Sequence, residues 1–150
     1  MTTINEVLAA ARSRGEEKHL TYPGALVPRE AYELIQRAPG AKIVDVRTRA
    51  ELDYVGRIPG SIEIEWQTYP GGRPNTEFLA QLQGQVDKEA LVMFVCRSGA
   101  RSHAAATAAA AAGYTQAYNV LEGFQGDKDT HGHRDTVGGW RVAGLPWYQS

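Results

Sequence analysis

The 150-residue chain is 43% hydrophobic and 22% charged, with 16 glycines and 7 prolines, a globular composition that excludes disorder and collagen-like repetition. Its 16 Lys and Arg against 17 Asp and Glu leave a formal charge of −1, so there is no broad basic footprint for nucleic acid or anionic lipid. The single cysteine, Cys96, excludes an internal disulfide and any zinc or iron–sulfur site built from several thiolates of this chain.

The chain starts Met1-Thr2-Thr3-Ile4, without the basic start and long apolar stretch of a secretory signal, and a cytoplasmic location is expected. Thr3 and Glu6 make a capping-box pattern, and Ile4, Val7, Leu8 and Ala11 share one helical face, so a short entry helix is predicted. Pro28 suits the first turn of a second helix, with Ala31, Leu34, Ile35 and Ala38 at helical spacing before Pro39-Gly40. The β-branched run Lys42 to Val46 reads as a buried strand, followed by a short helix over Arg49 to Val55. Ser61 to Trp66 alternates as a strand covered on one face, and Thr76 to Leu82 forms a further short helix.

Leu91 to Val95 has no polar residue, as expected of a central strand covered on both faces. Cys96 follows it directly. Ser102 to Ala112 is a helix ended by Gly113, whose eight alanines from Ala104 onward allow close approach to a sheet. Ala117 to Leu121 is a last strand, and strand and helix alternation gives an α/β class with a mainly parallel sheet. No linker or repeat divides residues 1–150, read as one domain: a core over about 20–125, a helical extension over 1–19 and a C-terminal wrap over 126–150. Trp140, Leu145, Pro146 and Trp147 are the expected anchors of the wrap, and Trp147-Tyr148 is expected out of water.

In open α/β sheets ligands bind beyond the carboxyl ends of the strands, where Cys96-Arg97-Ser98-Gly99-Ala100-Arg101-Ser102 lies. The loop leads into a helix start, so its amides can converge on an anion while the helix dipole adds positive potential and Gly99 permits a positive φ. A thiol facing such a cradle is expected to ionise readily, and the thiolate is the nucleophile. Singly, Arg97 and Arg101 would be solvated surface charges. Flanking a thiol, they are expected to neutralise an anionic donor, with the alternative that Arg101 points outward and braces the loop. Asp45 and Arg47 end a buried strand and are expected to form a structural ion pair or a loop hydrogen bond supporting the site, rather than to transfer a proton directly. Trp66 either walls the pocket or is an ordinary core tryptophan. His131 and His133 are a weak metal signal without a further ligand, and no metal or organic cofactor is expected. His103 either tunes the loop or lies on a helix surface.

These residues resemble the rhodanese family of sulfurtransferases. The resemblance rests on Cys96 to Ser102, on Ile43-Val44-Asp45-Val46-Arg47 with Glu51 following, on Gly56-Arg57-Ile58-Pro59-Gly60-Ser61 and on Val120-Leu121-Glu122-Gly123-Phe124, over about residues 28–125. The tail, with Gly132-His133-Arg134, Gly139-Trp140 and Gly144 to Trp147, is similar to that of some bacterial single-domain members. The family often reads Gly-His-Ile-Pro-Gly-Ala where this chain has Gly56 to Ser61. The resemblance implies one rhodanese-like domain, a five-stranded parallel sheet between helices on both faces. It implies transfer of sulfane sulfur from thiosulfate or a related small anion, through a Cys96 persulfide cradled by residues 97–102, to a thiol or cyanide acceptor. A persulfide carrier loaded by a sulfur-relay partner protein is the alternative. A cysteine phosphatase or arsenate reductase is disfavoured, because those enzymes place five residues between Cys and Arg whereas four separate Cys96 from Arg101.

Overall fold

The computed structural model describes residues 3–150. The element order is α1 (Ile4–Glu17), β1 (Gly24–Leu26), α2 (Pro28–Arg37), β2 (Lys42–Asp45), α3 (Arg49–Val55), β3 (Ile62–Glu63), β4 (Gln67–Thr68), β5 (Arg73–Pro74), α4 (Phe78–Gln83), β6 (Val92–Val95), α5 (Ala100–Ala111) and β7 (Ala117–Val120). Five strands form one sheet in the order β1-β7-β6-β2-β3, every neighbouring pair parallel, and β4 with β5 makes a separate antiparallel hairpin.

Local chemistry sets the helix starts. Thr3 and Thr48 each accept the amide three residues on, from Glu6 and Glu51, whose carboxylates accept the Thr amides in return. Pro28 opens α2, where its missing N–H costs no bond. The period-2 alternation of β6 then divides the core. Met93 and Val95 face a cluster with Val7, Leu8 and Ala11 of α1, Ala31 and Leu34 of α2, and Trp140 of the C-terminal segment. Val92 and Phe94 face a second cluster with Phe78 and Leu82 of α4 and Ala105, Ala106 and Ala109 of α5. Cys96 belongs to that second cluster, so the residue after β6 projects on the α5 side.

Several features differ from the sequence reading, the β4–β5 hairpin among them. β1 is a three-residue strand with no β-branched residue; it is a strand through its parallel pairing with β7, and α1 lies directly on its backbone, where a Cβ on Gly24 would come within 2.4 Å of the Ala11 carbonyl oxygen. β3 is regular only at Ile62–Glu63, although Ile64 and Trp66 still donate to the carbonyls of Asp45 and Val46 as the chain leaves for the hairpin. Trp147 and Tyr148 remain 40% and 47% exposed. They are held by edges: Trp147 covers Gly56 and meets Phe124 edge-on, while Tyr148 exchanges backbone hydrogen bonds with Arg57. Trp140 is the buried anchor, its indole N–H donating to the Pro146 carbonyl at 2.8 Å. Among the described residues no helix is long and apolar enough to cross a membrane.

At the end of β2, Asp45 and Arg47 are both fully buried and form a fork-like pair, with Nε to Oδ1 at 3.0 Å and Nη2 to Oδ2 at 2.8 Å. Arg47 also donates to the Gly56 carbonyl and stacks 4.1 Å above the Phe124 ring centroid. Its removal strands a carboxylate in the core. Arg47→Ala is expected to cost about 3–5 kcal/mol, read as a lower urea midpoint, whereas a loss under about 1 kcal/mol would mean that Asp45 finds water or another partner.

Candidate active site

The site is built where β6 stops and α5 starts. Gly99, the residue before α5, has φ +116°, a conformation that L side chains rarely adopt. Its N–H donates to Cys96 Sγ at 3.1 Å. The buried Ser102 hydroxyl donates to the same sulfur at 3.3 Å. Cys96 itself is 1% exposed, so its sulfur lies below the molecular surface.

The segment after β7 holds two of the loop carbonyls. Phe124 N–H donates to the Cys96 carbonyl at 2.8 Å, and Gln125 and Gly126 donate to the Arg97 carbonyl at 2.9 and 3.2 Å. The Asn119 side-chain amide donates to the Gly99 carbonyl at 3.3 Å. The amides of Ala100, Arg101 and Ser102, the first turn of α5, accordingly have no backbone acceptor among the described residues. The sulfur therefore has one loop amide and one hydroxyl on it, beside three first-turn amides that no backbone carbonyl engages.

Gly123 makes this approach feasible. A Cβ there would stand 2.5 Å from the Cys96 carbonyl oxygen and 2.5 Å from the Arg97 carbonyl carbon, and the backbone already has φ +63°. Glu122, at φ +70°, accepts the Gly139 amide at 2.9 Å and links the turn to the C-terminal segment.

The two arginines have different fates. Arg97 is exposed and makes no ion pair among the described residues. Arg101 instead forms a bidentate pair with Glu51, Nη1 to Oε1 at 2.6 Å and Nη2 to Oε2 at 2.9 Å, and so fastens the loop to the start of α3. In this arrangement Arg101 braces the loop, the alternative kept open for it, while Arg97 is the arginine without a carboxylate partner. Burial opposes ionisation of Glu51. The Arg101 hydrogen bonds and charge, with the Thr48 amide and hydroxyl, outweigh that cost and hold its carboxyl at about 2.

The remaining expected residues fall around this centre. Ser98 is half-buried and Ala100 exposed. Asp45 and Arg47 support the turn through Gly56 and Phe124. Trp66 is half-buried and packs edge-on against Phe78, ring centroids 5.0 Å apart. Arg57, at the position where the resembling motif has His, pairs with Asp53 and Glu63. His103 is exposed, with Nδ1 2.7 Å from the Tyr22 hydroxyl. The amides of His131 and His133 both donate to Asp129, which organises an exposed loop. Glu51, Asn119 and Gly123 had no assigned role in the sequence reading; for Gly123, the Glu-Gly pair after a strand was the available signal. A cavity of about 490 Å³ opens beside the loop, bounded by Thr48, Glu51 and Tyr54, by Gln67, Tyr69 and Gly72 of the hairpin segment, and by Arg97 and Arg101.

A model of the rhodanese-like domain matches residues 27–130. The chain belongs to the rhodanese-like family. An uncharacterized protein of Rickettsia conorii is 34% identical over 124 residues, 79% of this chain and 91% of its own length. The crystal structure of Rv0390 from M. tuberculosis is 43% identical, with a TM-score of 0.77 over 86% of this chain and 99% of that one. The polysulfide-sulfur transferase homodimer from Wolinella succinogenes shares the fold at 22% identity and a TM-score of 0.59, over 95% of this chain and 85% of its own. The rhodanese-like domain supports a function of the sulfurtransferase type in general.

The Glu51 brace has a pH signature. A carboxyl held below its ordinary value of ~4.3 stabilises the fold above that value and loses the contribution as pH falls toward about 2. Glu51→Gln is therefore expected to be less stable than the parent at neutral pH, with the gap closing between pH ~4.3 and about 2 in urea titrations. A gap independent of pH would show that the pair contributes by shape rather than charge.

Proposed function

We propose that this rhodanese-like protein is a sulfurtransferase of the thiosulfate type, working by double displacement through Cys96. The Cys96 thiolate attacks the outer sulfur of thiosulfate. The S–S bond of the donor breaks, its electron pair leaves with sulfite, and a persulfide remains on Cys96. A thiophilic acceptor then takes the outer sulfur and returns the bonding pair to Sγ, which regenerates the thiolate. Atoms and charge balance without a metal or organic cofactor.

The observation that carries this reading is that the loop donates to Cys96 Sγ twice, from the Gly99 amide at 3.1 Å and from the Ser102 hydroxyl at 3.3 Å. An added sulfur anion would meet the amides of residues 97–102 much as an oxyanion meets its hole. Arg97, exposed and without a balancing carboxylate, supplies the local attraction that a nearly neutral protein otherwise lacks for a dianion. Phosphoryl transfer fits less well. A phosphoryl group brings oxygens that need donors on several sides, and Arg101, which would be asked to hold them, is occupied by Glu51. A persulfide carrier uses the same chemistry, with loading from a partner protein in place of free thiosulfate.

Turnover with thiosulfate and cyanide tests both readings. Ping-pong kinetics are expected, with activity abolished in a folded Cys96→Ser variant because a serine hydroxyl is barely ionised and holds no sulfane sulfur. Arg97→Ala is expected to raise KM for thiosulfate on the order of tenfold, ~1.4 kcal/mol. Comparable turnover by the Ser variant would overturn the assignment, and loading seen only with a protein partner would favour the carrier.

A further inference from the structure

Asn119 lies inside β7, opposite Ala25 of β1 and Phe94 of β6, and is 4% exposed. Ala117, two residues earlier on the same face, belongs to the apolar cluster with Ala105, Ala106 and Ala109 of α5. A carboxamide in such surroundings is destabilising where it lacks partners, and Asn119 Oδ1 is buried with none. An apolar residue would serve the strand better. What Asn119 does hold is the Gly99 carbonyl, which accepts from its Nδ2 at 3.3 Å and from the His103 N–H at 3.1 Å. Tyr22 backs this contact: its hydroxyl is 2.7 Å from His103 Nδ1, and the two rings meet edge-on. Burial pushes the Tyr22 phenol up, and a hydrogen bond from the Asn119 side chain pulls it the other way.

The planar peptide unit that carries the Gly99 oxygen carries the Ala100 N–H on its opposite side. That amide opens α5 without a backbone acceptor among the described residues, and the Gly99 amide just before it is already on Cys96 Sγ. Gly99 has no Cβ to restrain the peptide unit that follows it, so the restraint has to come from outside. We propose that Asn119 is a positioning residue for the transferred sulfur: by holding the Gly99 carbonyl it fixes the Ala100 N–H toward the outer sulfur of the Cys96 persulfide. This inference rests on the sulfurtransferase reading above. When the Cys96 thiolate attacks thiosulfate, the S–S bond of the donor breaks, its electron pair leaves with sulfite, and the outer sulfur stays on Sγ. An amide already aimed at that sulfur stabilises its charge without having to reorient during the step. Asn119 touches no reacting atom; it acts through Gly99.

The test measures single-turnover loading of Cys96 by thiosulfate, followed by intact mass, in the parent and in Asn119→Leu, which keeps the branching at Cγ and removes the donor. Asn119→Ala serves where the larger side chain prevents folding. The folded variant is expected to unfold at a urea midpoint near the parent's, because it loses a carboxamide with an unpartnered oxygen. Its maximal loading rate is expected to fall about tenfold, a loss of aim rather than of a whole donor. The thiosulfate concentration for half that rate is expected to stay within about twofold, since donor binding is untouched. Tyr22→Phe leaves the Asn119 bond to Gly99 in place and is expected to load at close to the parent rate. In NMR spectra of the parent, loading is expected to move the Ala100 amide proton downfield, and in the Asn119 variant by much less. An undiminished maximal rate in the Asn119 variant, a change in half-saturation alone, a Tyr22→Phe protein that is equally slow, or an Ala100 amide that loading leaves in place would each overturn the inference while leaving sulfur transfer intact. No mass gain on Cys96 of the parent from any sulfane donor would overturn the sulfurtransferase reading itself, and this inference with it.

Discussion

Phe124, Gln125 and Gly126 donate their backbone amides to the carbonyls of Cys96 and Arg97, and the chemistry of the site follows from that contact. A peptide unit whose oxygen is held on one side presents its N–H on the other, so these bonds fix the N–H groups of Arg97 and Ser98, the two residues that lead into the Gly99 amide on the sulfur. The turn can sit this close only because residue 123 has no side chain. A loop of the same sequence without that support would be free to turn oxygen toward Sγ, and oxygen repels the anion that the amides attract. The preorganisation of the donors therefore resides in a segment more than twenty residues downstream of the nucleophile.

The supporting turn is in turn secured by cation and ring. Phe124 has the buried Arg47 guanidinium 4.1 Å from its centroid and Arg141 at 5.1 Å, and Arg141 also lies over Trp147 and donates to the Val55 carbonyl. Arg47 is paired with Asp45 at the end of β2, and Arg141 with Asp135 in the C-terminal segment. The end of the sheet, the start of the tail and the turn under the active loop thus share one aromatic ring. This explains why the polar, Gly-rich tail is ordered around the site: its amides at Gly139, Trp140 and Arg141 bond to Glu122, Gly123 and Phe124.

What the sequence discloses and what it conceals divide along the range of the interactions. The bounds of α3, the capping box of α1 and the proline start of α2 are local and were legible, as was the placement of Cys96 after an unbroken apolar strand. β1 was not, because nothing in Gly-Ala-Leu favours a strand until it pairs with β7. The hairpin of β4 and β5 has two residues per strand, too few for any period to show. Arg101 was recognised as belonging to the site, but its direction depended on Glu51, fifty positions earlier, and spacing along the chain carries no information about that pair. The half-buried Trp66 packs against Phe78, again a tertiary neighbour that spacing along the chain does not disclose.

The central claim is that backbone amides, not side-chain charge, hold the transferred sulfur, and a crystal structure of the protein treated with thiosulfate tests it most directly. The account predicts one additional sulfur atom bonded to Cys96 Sγ, within hydrogen-bond distance of several N–H groups of residues 97–102, with Arg101 still paired to Glu51. Density for the added sulfur pointing out of the loop toward the Arg97 guanidinium, or Arg101 released from Glu51 to bind it, would contradict the account.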